Sequence, residues 1–380
     1  MMARWRYFCK FFWIALTFSS VAFNCFLLFR NFFGPMNLDV NQEHMLADDV
    51  RSIKRLDQGH QEVPVEIDRE NQDEILKSAP EVKDNQVLRQ KTLLQACTDL
   101  EFEEHPSREH NLTSAELASL KNTFVIDKHK LLFCYVPKVS CTSWKHLFLV
   151  SYQIFNPEVK HKSVHTEFER VFMKVGRLAE KDANRIIKDY RQFLFVRNPF
   201  SRVLSAYREK IEYKNPSSPD QNHYPNFITR WLKKHHLGHY RRRNNTAAYS
   251  FPEFVSYFIA RRIEDEHWND QYNLCQPCLV EYDFIGKYET LQDDVERFLG
   301  TIPNGSSLVF PKADPQKFTR HSSSDENMSR YYQKIRDKDF KSLIECLYPD
   351  LRLFGYSIPT VIQRPWLKLS SKYTKLVDVG

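Results

Sequence analysis

Glycine is scarce in this chain, nine residues out of 380. None of the nine falls in a GxxxxGKS pattern, which disfavours a Walker-type nucleotide-binding loop. Long apolar runs are also few. Residues 11–29 are uncharged over nineteen positions, and no second run of spanning length follows, so the bulk of the chain lies outside any bilayer. No second CxxC accompanies Cys275-Gln-Pro-Cys278 and no histidine pair follows it at zinc-finger distance, so no ligand set calls for a metal. The only Asp-x-Asp triplet, Asp337-Lys-Asp339, sits in an amphipathic helical pattern and reads as a solvated face. No internal repeat is visible. What is abundant is core material, 42% hydrophobic with 14% aromatic residues, which excludes a wholly disordered protein.

Acidic residues are unevenly spread. Residues 1–30 hold four basic and no acidic side chains and residues 31–115 sum to −9, which leaves +12 on residues 116–380 against a net +7 for the whole chain. A folded region so basic favours a polyanionic partner: nucleic acid, acidic glycan or a phosphorylated small molecule. The uncharged stretch 11–29 is roughly 28 Å long as a helix, close to the thickness of a bilayer. Arg4, Arg6 and Lys10 precede it, so the expected arrangement is a cytosolic tail (1–10), a signal anchor (11–29) and a lumenal remainder. A cleaved signal peptide is the alternative, but its small-x-small site is indistinct. Four sequons, at Asn111, Asn244, Asn304 and Asn327, agree with a secretory route. A lumenal basic domain makes nucleic acid a poor partner.

Six cysteines, Cys97, Cys134, Cys141, Cys275, Cys278 and Cys346, follow the anchor. Cys275 and Cys278 read as structural cysteines of an oxidising compartment, with the pairing open among fifteen arrangements. Residues 30–115 are polar and acid-rich and read as a stem, with a short helical pattern at 84–94.

From residue 116 to about 360, apolar strand-type runs alternate with helical patterns. Candidate strands are Leu131–Val136, Phe193–Val196 and Tyr282–Ile285. Candidate helices cover 143–150, 181–190, 200–211, 254–263, 291–299 and 330–347, and 214–250 reads as basic and turn-rich. All-apolar strands in this alternation predict an α/β fold with a parallel sheet covered on both faces. Residues 361–380 read as an irregular basic tail.

Two turns carry chemistry. Pro137-Lys-Val-Ser-Cys-Thr-Ser143 runs from an apolar strand into a helix, offering one cation (Lys138), three hydroxyls (Ser140, Thr142, Ser143) and a helix amino terminus. The bland alternative is an ordinary strand-to-helix turn. Arg197 then stands at the carboxyl end of the next strand, with Ser205 and Arg208 at helical positions after it. An Arg fork suits a terminal phosphate. Two such turns at neighbouring strand ends predict a ligand with anionic groups at both ends.

These residues carry a resemblance. Tyr135-Val-Pro-Lys-Val-Ser-Cys-Thr-Ser-Trp-Lys145 resembles the 5′-phosphosulfate loop of Golgi carbohydrate sulfotransferases, and Phe195-Val-Arg-Asn-Pro-Phe-Ser-Arg-Val-Leu-Ser-Ala-Tyr207 is similar to their 3′-phosphate motif. The nearer branch is that of chondroitin 4-O-sulfotransferases and the HNK-1 sulfotransferase. Glu266-His-Trp268, Leu274-Cys-Gln-Pro-Cys278, Tyr282-Asp-Phe-Ile-Gly-Lys-Tyr-Glu-Thr290 and Leu353-Phe-Gly-Tyr-Ser357 extend the likeness over about 116–360. It implies a P-loop-like sulfotransferase fold with a parallel central sheet flanked by helices. It also implies the donor 3′-phosphoadenosine 5′-phosphosulfate (PAPS), a glycan acceptor and a Golgi membrane location. Carried over by position, Pro137, Lys138, Val139, Ser140, Cys141, Thr142 and Ser143 hold the phosphosulfate, while Arg197 and Ser205 hold the 3′-phosphate. One departure is Asn198, where the family usually has an acid.

For the general base the sequence offers His165, in Ser163-Val-His-Thr-Glu-Phe168 between the two motifs. His267 is its rival, and Glu167 is a third candidate. Arg241, Arg242 and Arg243 resemble the basic stretch before the Phe-x-x-Phe-Val helix of chondroitin 4-O-sulfotransferases. They point to a chondroitin or dermatan acceptor, with an HNK-1-type or N-glycan N-acetylgalactosamine acceptor as the alternative. A homodimer is left open. A lumenal glycosyltransferase and a noncatalytic glycan-binding protein are the competing classes; the first would need a nucleotide sugar, the second would bind glycan without nucleotide.

Overall fold

Strands form where the apolar runs lie. In a computed structural model of the chain, β1 (Thr123–Ile126), β2 (Leu131–Cys134), β3 (Arg191–Val196) and β4 (Phe284–Lys287) make one sheet in that order. The structure describes residues 80–102, 110–156, 164–212, 223–236, 249–303, 305–311, 321–370, 372–373 and 376–377. All fall in the unit Arg69–Gly380. The proposed anchor 11–29, Arg241–Arg243, Asn244 and Asn304 lie outside the described residues. Among the described residues no helix is long and apolar enough to cross a membrane.

β2, β3 and β4 are parallel, with Phe133 beside Phe193 and Leu194 beside Ile285. The expected all-parallel sheet needs one correction: β1 pairs with the outer side of β2 in antiparallel register, Thr123 opposite Cys134, so the sheet is mixed. Four residues joined to β2 by a single 3-10 turn, Asp127–His129, leave too short a pattern to read as a strand. β4 also begins two residues later than expected.

Twelve helices are described. They are α1 (Pro80–Asp99), α2 (Ser114–Ser119), α3 (Cys141–Ser151), α4 (Val164–Val171), α5 (Glu180–Asp189), α6 (Pro199–Tyr207), α7 (His223–Lys234), α8 (Phe251–Arg261), α9 (Gln271–Cys275), α10 (Leu291–Gly300), α11 (Asp325–Tyr332) and α12 (Asp337–Leu353). Thr113 and Ser250 start α2 and α8 with capping boxes to Glu116 and Glu253. Asn198 caps α6, accepting from the Phe200 N–H, and Pro199 follows in the first turn. The helix expected over 330–347 is two helices, broken at residues 333–336. The segment expected to be turn-rich holds α7, whose lysines Lys233 and Lys234 suit the negative end of the helix dipole.

Aromatic packing holds β2 and β3 together. Phe133 and Phe193 stack at 4.9 Å, Trp144 of α3 lies 4.9 Å from Phe195, and Phe298 of α10 closes on Phe193 at 4.2 Å. A Cβ on Gly286 of β4 would stand 2.2 Å from the Phe195 ring, so here the rare glycine makes room for the core directly before Arg197.

α1 comes from the segment read as a stem and covers the outer edge of β4. Gln86 donates to the Ile285 carbonyl at 3.2 Å and accepts from the Ile285 N–H at 3.1 Å. Arg89 donates to the same carbonyl at 2.7 Å and pairs with buried Asp294 at 2.9 Å. The helix end is tied down by the disulfide Cys97–Cys278. An edge strand treated this way cannot template association with another chain. A second disulfide joins Cys134, the last residue of β2, to Cys275 of α9. The two cysteines of Cys275-Gln-Pro-Cys278 are therefore both structural, each bonded to a distant partner.

Candidate active site

The loops after β2 and β3 lie side by side because their strands do. Two left-handed residues, Lys138 (φ 72°) and Ser140 (φ 54°), fold the first loop tightly back before α3. Ser140 is the N-cap of α3 and makes no side-chain cap. Its carbonyl accepts from Ser143 and Trp144 N–H at 3.0 and 3.2 Å. The N–H groups of Cys141 and Thr142, in the first turn of the helix, have no intrahelical carbonyl to donate to, the arrangement that receives anions at helix amino termini.

The second loop is locked onto the first. Arg197 is 2% exposed, and its Nη1 donates to the Lys138 carbonyl at 3.0 Å. Nη2 donates to Ser323 Oγ at 2.6 Å, and the guanidinium lies 4.1 Å over the Tyr288 ring. Its Nε is buried and has no acceptor among the described residues. Burial pulls its pKa below the usual guanidinium value, with Tyr288 and Glu289 opposing that pull. Gln271 of α9, wholly buried, fixes the Arg197 backbone from both sides, accepting from its N–H and donating to its carbonyl, each at 2.9 Å. The α9 amino terminus is in turn capped by Asp350 through the Gln271 and Tyr272 N–H groups at 2.8 and 2.9 Å.

Arg202 performs a similar service for the first loop. Its Nε donates to the Pro137 carbonyl at 3.0 Å, Nη1 to Asn269 at 2.6 Å and Nη2 to Glu266 at 3.0 Å. Full burial brings its pKa down to about 10, with Asp350 and Asp270 nearby to favour the cation. Breaking such a buried, fully bonded charge costs about 3–5 kcal/mol. Asn198 replaces an acid without leaving a gap: its Nδ2 donates to the Ser357 carbonyl at 3.0 Å, and its N–H donates to Glu289 at 2.8 Å.

The remaining expected residues divide. Lys138 is nearly buried, and its Nζ is paired with Glu209. Val139 and Cys141 are buried, Cys141 as a free thiol. Thr142 Oγ1 lies 3.1 Å from His165 Nε2, which puts that imidazole on the first loop. Ser143 is half-buried, and Ser205 is buried within α6. Arg208 donates from Nη1 to Ser322 Oγ at 3.1 Å. His267 has Nδ1 within 2.8 Å of Asp265 Oδ1 and 3.2 Å of Tyr224 OH. Burial lowers its pKa and the Asp265 contact partly restores it. Glu167 pairs with Arg170 at 2.9 Å on α4. Asn111 is exposed, and Asn327 Nδ2 donates to the His321 carbonyl at 2.8 Å.

Sequence reasoning did not find Gln271, Glu209 or the pair Ser322 and Ser323. Gln271 stands shortly before the Cys275-Gln-Pro-Cys278 motif with no pattern of its own, and the serines reach Arg208 and Arg197 from more than 100 residues away. As a whole the site can take a ligand anion on the α3 amino terminus beside Lys138 and a second anion at Arg197, with an imidazole close to the first.

The family model described as "Sulfotransferase family" matches residues 121–357, which contain every element just described except α1 and α2. Carbohydrate sulfotransferase 12 of Xenopus laevis is 31% identical over 299 residues, covering 71% of this chain and 68% of its own. Carbohydrate sulfotransferase 11 of Rattus norvegicus is 34% identical over 253 residues, 64% of this chain and 69% of that one. Carbohydrate sulfotransferase 8 of Mus musculus is 31% identical over 246 residues, 62% and 56% respectively. No solved structure matches. With the match running through both anion loops, the α/β sheet and the Gln271 brace, the chain belongs to the sulfotransferase family.

Proposed function

We propose that this protein transfers a sulfuryl group from PAPS to a glycan hydroxyl, the acceptor being position 4 of N-acetylgalactosamine in chondroitin or dermatan. The hydrogen bond from Arg197 Nη1 to the Lys138 carbonyl carries the proposal, because it makes one cleft of two anion loops. The donor supplies an activated sulfur. The residues fit its charge pattern: the α3 amino terminus and Lys138 at one end, and at the other buried Ser205 and the buried Nε of Arg197, which has no acceptor among the described residues. Lys138 is the cation that would steady charge on the departing phosphate.

His165 is the base in this reading. Of the two imidazoles, it is the one that bonds to the phosphosulfate loop, whereas His267 faces Asp265 and Tyr224. With Nε2 unprotonated, His165 accepts from Thr142 and would exchange that hydroxyl for the acceptor's. His165→Ala is expected to lower transfer by about 10²–10⁴-fold with binding of adenosine 3′,5′-bisphosphate (PAP) unchanged. Equal loss of both would remove it from that role.

The names of the relatives support a carbohydrate acceptor, and the resemblance of Arg241–Arg243 to the basic stretch of chondroitin 4-O-sulfotransferases supports a glycosaminoglycan. Replacing all three by alanine should raise the apparent KM for desulfated chondroitin and flatten its dependence on salt. An unchanged KM would take the segment out of the site. Disaccharide analysis of the sulfated product tests the position. We further propose residence in the Golgi membrane through residues 11–29 with the sulfotransferase domain lumenal, a reading supported by two long-range disulfides. Cysteine accessibility in sealed vesicles tests that topology.

A further inference from the structure

The turn that follows α6 is not α-helical. Arg208–Glu212 form one π-turn, a local feature often found at functional sites. Its side chains reach four different partners. Arg208 goes to Ser322, Glu209 to Lys138, Lys210 to within 5.3 Å of the Tyr224 ring, and Glu212 to Tyr331 OH at 2.5 Å. One of these contacts stands inside the cleft. The Lys138 side chain is only 7% exposed and its ammonium is held by Glu209, whose side chain is 32% exposed. A cation that buried requires a counter-charge, and Glu209 supplies it.

We infer that Glu209 is a built-in competitor of the donor's phosphosulfate group: it holds Lys138 in place, and an anion reaching that ammonium must displace it. This inference rests on the assignment of the cleft to PAPS. Two features favour it over a purely structural ion pair. The carboxylate is the more exposed partner, so it can swing to water while Lys138 stays on its strained left-handed backbone at φ 72°. And the loop runs directly into the amino terminus of α3, whose first N–H groups have no intrahelical acceptor, so an incoming anion gains them as well as the lysine. Glu209 is a positioning residue in this account. It sets where the ammonium points and lowers the affinity of the site for every anion, product included.

The sign of the effect separates this role from a structural one. Glu209→Gln is expected to tighten PAP binding about three- to tenfold by calorimetry, because the competitor's charge is gone. Glu209→Asp, which keeps the charge on a shorter side chain, should give an intermediate gain. In a Lys138→Met background the gain from Glu209→Gln should vanish, since the two residues act as one unit. A wild-type chain that binds PAP while both Glu209 variants bind equally or more weakly overturns the role of Glu209 alone. So does a gain that persists without Lys138. A wild-type chain that gives no heat with PAP overturns the donor assignment itself.

Discussion

Replacing Lys138 by methionine is expected to lower the turnover of sulfuryl transfer by about 10²–10³-fold, the range seen when one preorganised donor to a developing anion is removed. The fold should survive. Lys138 reaches the cleft through its backbone geometry, and that geometry is fixed by others: Arg202 on the Pro137 carbonyl and Arg197 on the Lys138 carbonyl. Methionine keeps the length and apolar stem of the side chain and removes only the charge. Arginine should not restore the rate, because a planar fork cannot occupy the place of a compact ammonium. Single-turnover measurement with saturating donor checks this. A rate within threefold of wild type would mean that another group carries the charge.

The second large effect concerns a region outside the family match. A chain beginning at residue 110 is expected to melt at least about 10 °C lower than one that retains α1, and to aggregate. Three losses add. The disulfide Cys97–Cys278 contributes about 2–4 kcal/mol. Asp294, almost wholly buried, loses its Arg89 partner, although the Lys287 N–H and Thr290 hydroxyl continue to donate to it at 2.8 and 2.7 Å. The Ile285 N–H and carbonyl on the edge of β4 lose Gln86. Against a total stability of about 5–15 kcal/mol these are large fractions. Thermal melting followed by circular dichroism checks the shift. An unchanged midpoint would make α1 a passive tether rather than the cover of the sheet.

How much of this was legible beforehand differs by level. The strands β2 and β3, and the placing of Lys138 and Arg197 at their carboxyl ends, follow from uninterrupted apolar runs followed at once by turns, a local signal. That the loops touch was inferable from strand adjacency, and the 3.0 Å contact of Arg197 with the Lys138 carbonyl agrees with it. β1 is not legible because Thr123–Ile126 acquires its identity from pairing with β2, not from its own pattern. α1 reads as stem because its segment is polar and acid-rich, yet its polar residues Gln86 and Arg89 grip β4 and Gln90 the two residues before it. Gln271, Ser323 and Glu209 were invisible for the same reason. Each is an ordinary polar residue until the fold sets it against the backbone or side chain of a loop distant in sequence.

Titration calorimetry of PAP against the chain with α1 in place tests the central claim most directly. The account predicts one saturable site per chain, with affinity weakened about tenfold or more by Arg197→Ala, as expected for removal of a charge-assisted donor to phosphate. No measurable heat with the wild-type chain, or equal affinity in the two proteins, would contradict it.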